Sequence, residues 1–433
     1  MSNSSSTDAT ITRELLQSLW GQDTSALNVR LWDGTYWPDD APRQATLVLN
    51  HPGALRAMFL PGNEVTLGEA YLYDDFNVEG SLEVLYGASE RLITDPPSLA
   101  QRLRLLRQLR RLPAESRRVA ALRQLAADAR GRARVSGRLH SLARDRQAVT
   151  YHYDVGNNFY ALWQDPLMVY SCAYFQSADE DLDSAQVRKL DYIGRKLRLK
   201  AGQKLLDLGC GWGGLVMYAA RTFGVDATGI TLSQPQADLA NERIKAEGLG
   251  ERCRVLVRDY RQMDEHAAYD ALVSVGMFEH VGQDLLPTYF ARAWDLLVLG
   301  GVFLNHGIAL RGSDTWTKIK GFSNAYVFPD GELVPIHTTL RAAEKAGFEV
   351  RDVDSLREHY ALTLRHWVRR LEAHHEQALR CVSEPTYRVW RLYMSGSAQG
   401  FTTGRSNVYQ ALLLKPAASG ASHLPLSRSD WYC

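Results

Sequence analysis

From about Lys200 onward, short apolar runs alternate with segments in which apolar residues recur every three or four positions. The runs read KLLDLG, VDATGI, CRVLV, YDALVSV and GVFLNHGI, and between them lie amphipathic stretches such as QADLANERIKAEG, Gln236–Gly248. A short continuous apolar run predicts a strand covered on both faces, and helical spacing predicts the helix that covers it. The alternation therefore predicts an α/β domain with a mostly parallel sheet and helices on either side. GFEVRDV (Gly347–Val353) and NVYQALLLK (Asn407–Lys415) supply two closing strands, for a sheet of seven. Two insertions interrupt the rhythm: Ala309–His337, rich in aromatics and glycine, and a helical block over Leu356–Gln399.

Upstream the pattern is different. Residues 1–10 are polar and predicted to be disordered, since such a segment buries too little to offset the entropy of ordering it. Residues 11–135 read as a smaller α+β domain, with a strand in ATLVLN (Ala45–Asn50) and an arginine-rich helical linker at its end. The larger domain is expected over residues 145–417 and a flexible tail over 418–433. A chain of 433 residues is long enough for two cores.

Composition changes this picture in three places. Hydrophobic residues at 45% and charged residues at 23% describe a soluble globular chain. The formal net charge of +1 gives no global field to gather nucleic acid, yet fourteen arginines and only three acids fall between Arg102 and Arg146. The five cysteines are odd in number and widely spaced, which points to a reducing cytoplasm rather than a disulfide scaffold, and no zinc spacing occurs. No run of eighteen apolar residues exists, so membrane contact is expected to be peripheral.

The chemistry concentrates in LLDLGCGWGGL, Leu205–Leu215. A strand, a glycine-rich turn and a helix make a nucleotide site, because glycines let the backbone turn sharply and let a ligand approach closely. The loop lacks the Gly-Lys-Ser/Thr ending of a phosphate loop, and its glycines do not fit G-x-G-x-x-G. The spacing D-x-G-x-G-x-G from Asp207 to Gly213 suits a ligand without phosphate, lying flat on the loop; S-adenosylmethionine (SAM) is one.

Further motifs occur in order: YHYDVGNNFY (Tyr151–Tyr160), YSCAYF (Tyr170–Phe175), GITLSQPQ (Gly229–Gln236), DYR (Asp259–Arg261), VSVGMFEHVG (Val273–Gly282), FLNHGI (Phe303–Ile308) and YVFPDGELVP (Tyr326–Pro335). With the glycine loop they resemble the cyclopropane fatty acid synthase family of class I SAM-dependent methyltransferases, over roughly residues 145–415. The preceding domain makes the chain look like the bacterial phospholipid enzyme rather than the single-domain mycolic acid enzymes.

The resemblance implies a Rossmann-like methyltransferase domain, with SAM held by Gly209, Gly211 and Gly213, by Tyr170 and Ser171 at its methionine end, by Thr231, Leu232 and Gln236, and by Tyr260 beside the adenine. Gln236 stands in for the acid that many class I methyltransferases offer the ribose. The mycolic acid branch has an acid where this chain has Arg261, which receives no role. The implied reaction adds a methylene across a cis double bond of a phospholipid acyl chain. Methyl transfer leaves a carbocation, and a bound bicarbonate removes the proton. Its implied holders are Cys172, Glu279, His306, the backbone of Ile308, and Tyr360. Phe278, Trp316, Phe322 and Tyr326 are candidates for lining an acyl tunnel. Ser397 stands where phospholipid enzymes often carry a cysteine, so covalent catalysis there is not expected.

Two alternatives stay open: the same cation resolved to a methyl- or methylene-branched chain, and a non-catalytic lipid-binding protein. The N-terminal domain is expected to engage lipid or to form a homodimer, and nucleic acid is not an expected partner. In LRLLRQLRRL (Leu103–Leu112) leucines recur at helical spacing among arginines, the pattern of an interfacial helix on anionic lipid. The expected location is therefore cytoplasmic, at the inner face of the membrane.

Overall fold

The computed structural model describes residues 2–21, 23–60, 62–94, 98–114, 131–153, 155–312 and 321–432. It falls into two compact units. The first gathers Met1–Arg132, Lys320–Val327 and Val382–Gln399; the second holds Ala133–Ile319, Phe328–Cys381 and Gly400–Cys433.

The first unit opens with helix α1 (Ser2–Trp20). The predicted disorder of residues 1–10 is therefore corrected over the described positions. Ile11, Leu15, Leu16 and Trp20 are buried along one stripe and anchor the helix, and extending an existing helix costs far less than starting one. Four strands follow, paired in the order β2 (Tyr36–Trp37), β1 (Leu27–Arg30), β3 (Ala45–Leu49), β4 (Phe76–Gly80). Along β3, Ala45, Leu47 and Leu49 are buried while Thr46 and Val48 are half-buried, the period of a one-sided sheet. Helices α2 (Ala54–Phe59), α3 (Glu64–Leu72), α4 (Leu82–Thr94) and α5 (Leu99–Arg111) complete the N-terminal segment. A reciprocal Ser98/Gln101 capping box starts α5.

Two pieces from far along the sequence join this unit, which corrects the expected single boundary near residue 135. The helix Glu384–Thr402 carries Arg391, whose guanidinium donates to Tyr71 Oη (2.8 Å), Val78 O (3.1 Å) and Gly80 O (3.0 Å). Arg388 on the same helix donates to Tyr71 O (2.8 Å) and pairs with Asp74 (3.0 Å). Phe322 lies on α3, where a Cβ at Gly68 would come within 2.3 Å of its ring. Tyr326 Oη donates to Glu69 (2.6 Å). Phe322 and Tyr326 are thus packing groups of the first unit. Phe278 is core in the second, and Trp316 lies outside the described residues.

The second unit contains the sheet that the apolar runs predict. Its strands are β5 (Lys204–Leu208), β6 (Asp226–Thr231), β7 (Cys253–Val257), β8 (Tyr269–Val275), β9 (Leu297–Leu310), β10 (Val334–Pro335), β11 (Glu349–Ser355) and β12 (Ser406–Leu414). The order is β11-β12-β9-β8-β5-β6-β7, with β12 antiparallel to both neighbours and the two-residue β10 added beside the end of β9. The expected seven strands are present, and β10 makes an eighth. Alternate residues serve opposite cores: Leu205, Ala227, Val273 and Leu304 face one, and Leu206, Ile230, Leu272 and Phe303 the other. Burial on both faces is why these strands read as unbroken apolar runs.

Helices of the second unit that matter below are α6 (Leu142–Tyr153), α7 (Asn157–Ala161), α8 (Leu182–Lys196), α9 (Gly214–Phe223), α10 (Gln234–Ala246), α11 (Leu286–Leu296) and α12 (Arg357–Ala373). The expected flexible tail is also corrected. Trp431 is buried in the core with α8, and Arg198 pairs with Asp430. Among the described residues no helix is long and apolar enough to cross a membrane.

The arginine contacts in the first unit generate a prediction. Replacing Arg391 with Met keeps the apolar stem but strands two carbonyls and a tyrosine hydroxyl. Unmet buried groups cost about 1–3 kcal/mol each, partly relieved by relaxation. Arg391→Met is expected to lower stability by about 2–4 kcal/mol in guanidinium titration. A loss below about 1 kcal/mol would show that those acceptors find other donors.

Candidate active site

The strand order reverses direction at β5, which lies between β8 and β6. Crevices form outside the carboxyl ends of strands at such a point. Here a cleft opens over the loop Gly209–Gly214. Gly209 has φ +93°, and an added Cβ would lie 2.5 Å from Met277 Cβ, so only glycine lets the turn after β8 close down. Gly211 has φ +55°, and its missing Cβ would meet nothing within 4 Å, which leaves the floor of the cleft bare.

The structure places Tyr170, Ser171, Gly209, Gly211, Thr231, Leu232, Gln236 and Tyr260 around this one cleft. Gly213 is the exception. It caps α9 at φ +77°, and its Cβ would point at Ala240 (3.1 Å), so its part is to pack the loop. Thr231 Oγ1 donates to Gln236 Oε1 (2.8 Å), which turns the amide so that Nε2 is a buried donor without a partner. Asp207 Oδ1 and Tyr260 Oη are likewise buried and without partners. Unmet polar atoms are costly in a dry interior, so three on one cleft mark groups waiting for a polar ligand. They fit SAM: a carboxylate, an amide donor and a phenol around a glycine floor, with no phosphate-binding cation loop.

Sequence reasoning missed several walls. Asp145, Val149 and Tyr153 line the cleft from α6 at spacings of four, a helical face that the sequence pattern could have revealed. Lys189 lines it from α8. Its Nζ donates to Ser171 Oγ (2.9 Å), and Gln186, one turn earlier, donates to Val169 O and Ser171 O (both 3.0 Å). Together they fix the Tyr170–Ser171 segment. Burial pulls Lys189 down to about 8, against the attraction of Asp165, and pushes Asp207 up to about 7, against the attraction of Lys189.

The residues expected to hold bicarbonate lie outside the lining of this cleft, two of them on segments that also line it. Ser171 lines the cleft and Cys172 follows it; Met277 and His280 line it and flank Glu279. Glu279 Oε1 accepts the Ile308 N–H (2.7 Å), so the backbone donor expected to face the ion is here engaged by the carboxylate. Its other oxygen, Oε2, is buried with no partner, and burial pushes the acid up to about 7. His306 sits two residues before Ile308 on β9, on the same face. Lys196 donates to Gln410 Oε1 (3.0 Å), which orients the amide so that its Nε2 meets His306 Nδ1 (3.3 Å). Nδ1 is thereby the acceptor, and the buried, unpartnered Nε2 carries the proton. Burial, with Lys189 and Lys196 nearby, holds the imidazole well below its usual pKa, so it is a neutral donor.

Cys172 and Tyr360 meet through the start of α12. The thiol donates to Leu356 O (3.6 Å), and Tyr360 N–H donates to the same carbonyl (3.1 Å). Burial pushes the Cys172 thiol up, so it is a donor rather than a nucleophile. The Tyr360 ring packs on Phe401, with centroids 4.6 Å apart.

The raised Glu279 pKa has a consequence for stability. Folding lifts it from an ordinary 4.5 to about 7, so the folded protein keeps a proton that the unfolded chain has already lost. The resulting stabilisation is complete below about 4.5 and is lost as pH rises through 7. Glu279→Gln removes the ionisation and keeps an acceptor for Ile308. The variant is expected to be more stable than wild type by about 1–3 kcal/mol at pH 8, with the advantage shrinking towards pH 5. Thermal unfolding at the two pH values checks it, and an equal difference at both would show that ionisation is not the cause.

Comparison with known proteins gives a family and a fold. Residues 140–411 match the family described as mycolic acid cyclopropane synthetase. A probable fatty acid methyltransferase of Pseudomonas putida is 39% identical over 413 residues, covering 94% of this chain and 96% of that protein. The Escherichia coli K12 cyclopropane-fatty-acyl-phospholipid synthase is 36% identical over 269 residues, covering 62% of this chain and 68% of that protein. Among solved structures, mycolic acid cyclopropane synthase CmaA1 complexed with SAH and CTAB matches with a TM-score of 0.59 and 35% identity, over 62% of this chain and 97% of that one. The chain is therefore a member of the mycolic acid cyclopropane synthetase family, an enzyme with the SAM-dependent methyltransferase fold.

Proposed function

We propose that the chain transfers a one-carbon unit from SAM to the cis double bond of an unsaturated phospholipid acyl chain and closes it to a cyclopropane ring, with bicarbonate as the base. The observation that carries the reading is the pairing of a glycine-floored cleft, with three buried unmet polar atoms, and an adjacent buried pair, Glu279 Oε2 and His306 Nε2. SAM supplies an electrophilic methyl on a sulfonium. Bicarbonate, when bound, supplies a base that a sulfonium does not readily methylate.

The chain's residues do the rest. An alkene is a weak nucleophile, so the main task is alignment in a dry slot. The Tyr170–Ser171 segment, fixed by Gln186 and Lys189, holds the methionine end of SAM; Gln236 offers a donor to the ribose, and Tyr260 packs beside the adenine. Glu279 accepts a proton from the anion and fixes its orientation, while the His306 Nε2–H and the Cys172 and Tyr360 hydrogens donate to it. For the Ile308 N–H and the Cys172 S–H to take part, they must leave Glu279 Oε1 and the backbone carbonyls they now meet as the ion arrives.

A second reading has its own support. The Pseudomonas putida protein and a Mycobacterium tuberculosis protein, 36% identical over 427 residues, match nearly the whole chain, and both are described as probable fatty acid methyltransferases. Loss of a proton after a hydride shift would give a methyl- or methylene-branched chain by the same chemistry. The product decides: expression in a host without cyclopropanated lipids, then mass spectrometry and proton NMR of the fatty acids. Ring protons support the first reading, and vinyl or branched-methyl protons the second. Glu279→Gln and His306→Gln are expected to bind SAM yet lose about ten- to a hundredfold in turnover, and wild-type activity is expected to depend on added bicarbonate. A near-wild-type rate in Glu279→Gln would remove it from the mechanism.

The proposed lipid contact is α5, at the inner face of the membrane. Its support is a helix face on which Arg104, Arg107, Arg110 and Arg111 are exposed beside the exposed Leu99 and Leu103. Each basic residue near an anionic surface contributes roughly 1 kcal/mol. Replacing the four arginines with Gln is expected to abolish most co-sedimentation with anionic vesicles at low salt, and SAM affinity is expected to hold. Undiminished vesicle binding would move the contact elsewhere.

A further inference from the structure

Arg261 has no role in the reading above, yet it is among the most heavily bonded side chains at the cleft. Its Nε and Nη2 grip Asp259 (2.8 and 2.7 Å), Nη2 also reaches Asp145 Oδ2 (2.8 Å), and Nη1 donates to His140 O (2.9 Å). Its guanidinium carbon lies 5.4 Å from the centre of the Tyr260 ring. Four of its five N–H donors are spent on these bonds, so the residue is built to join parts of the chain rather than to bind an anionic ligand.

The parts it joins are two walls of the cleft. Asp259 and Tyr260 belong to the turn after β7. His140 and Asp145 belong to the entry and first turn of α6, whose Asp145, Val149 and Tyr153 line the cleft. The side chains of Arg261, Asp145 and Asp259 are only 16%, 11% and 4% exposed, so the bridge lies in a poorly solvated place where charge pairs are not screened away as on an open surface. The fork of a guanidinium is needed, since an ammonium cannot grip one carboxylate at two points and also reach a second. Elsewhere along α6, Arg144 pairs with Asp330 (2.6 Å), which secures the helix on its other side.

We propose that Arg261 is a positioning residue that controls how long SAM and its product stay bound, by latching α6 to the turn that carries Tyr260. The inference rests on the reading that this cleft takes SAM. With the latch broken, α6 can lift at its first turn and Tyr260 loses the cation on its ring. The effect falls on dissociation more than on encounter, as with most changes to an existing set of contacts.

The test uses the full chain and S-adenosylhomocysteine (SAH). Affinity is measured by calorimetry, and dissociation by stopped-flow tryptophan fluorescence, for which Trp212 in the cleft wall is a reporter. Arg261→Gln and Asp145→Asn are each expected to weaken SAH by about tenfold, mainly through faster release. Arg261→Lys is expected to recover little. The double variant is expected to be no weaker than the weaker single, because both changes break one bridge. Asp145→Asn leaves the grip on Asp259 in place and serves if Arg261→Gln folds poorly. Singles within twofold of wild type, or losses that multiply in the double variant, overturn the proposal. A wild-type chain that does not bind SAH overturns the SAM reading as well; wild-type binding with unaffected variants overturns the latch alone.

Discussion

Burial of the central strands on both faces is the constraint from which the rest follows. Leu205 and Leu206 on β5, or Val273 and Leu272 on β8, face opposite cores, so neither surface of this sheet is open to a polar ligand. Polar chemistry is confined to the carboxyl ends of the strands, where the backbone leaves the sheet. Asp207 is the last residue but one of β5, Thr231 ends β6, Glu279 follows β8, and His306 lies near the end of β9. Residues far apart in sequence meet because parallel strands bring their ends to one edge.

Confinement at a buried edge has an energetic cost that the site makes visible. Asp207, Glu279, Lys189 and His306 are all displaced from their ordinary ionisation, and burial is the largest cause for each. A fold selected only for stability would replace them with apolar side chains of similar volume. Their presence, with Asp207 Oδ1, Glu279 Oε2 and His306 Nε2 unmet, marks the edge as arranged for ligands that restore what folding removed. Lys196 and Gln410 show how far the arrangement reaches: a buried cation orients an amide, the amide fixes an imidazole tautomer, and the imidazole is left as a donor.

The sheet was legible in the sequence because two-sided burial leaves long apolar runs, and the glycine loop because its backbone angles exclude other residues. The cleft lining followed wherever a motif placed a residue at a strand end. What stayed hidden depends on partners distant in sequence. Nothing near Arg261 signals that it grips Asp145, and nothing near Lys189 signals that it fixes Ser171. The polar start of α1 read as disorder because composition does not report the anchored stripe that follows it. Nothing near Arg388 and Arg391 signals that they enter a core, where arginine is seldom found; here each is buried against carbonyls of the first unit. Gly213 read as a ligand contact and lies outside the cleft lining, where it caps α9 beside Ala240.

The late entry of two elements bears on how the protein emerges from the ribosome. The helix that completes the first unit begins at Glu384, and β12, which pairs with both β9 and β11, begins at Ser406. Until these two elements are made, one unit lacks the arginines that meet its carbonyls, and the other holds β9 and β11 with the strand between them missing. Translation at about 5–20 residues per second leaves β9 and β11 without the strand between them for several seconds after β11 is made, and the first unit without its arginines for longer. Open strand edges of that kind invite pairing with other nascent chains. The ordinary order, in which an N-terminal domain closes before the rest of the chain is made, is therefore not open to the first unit, because Arg388 and Arg391 arrive only with the helix Glu384–Thr402.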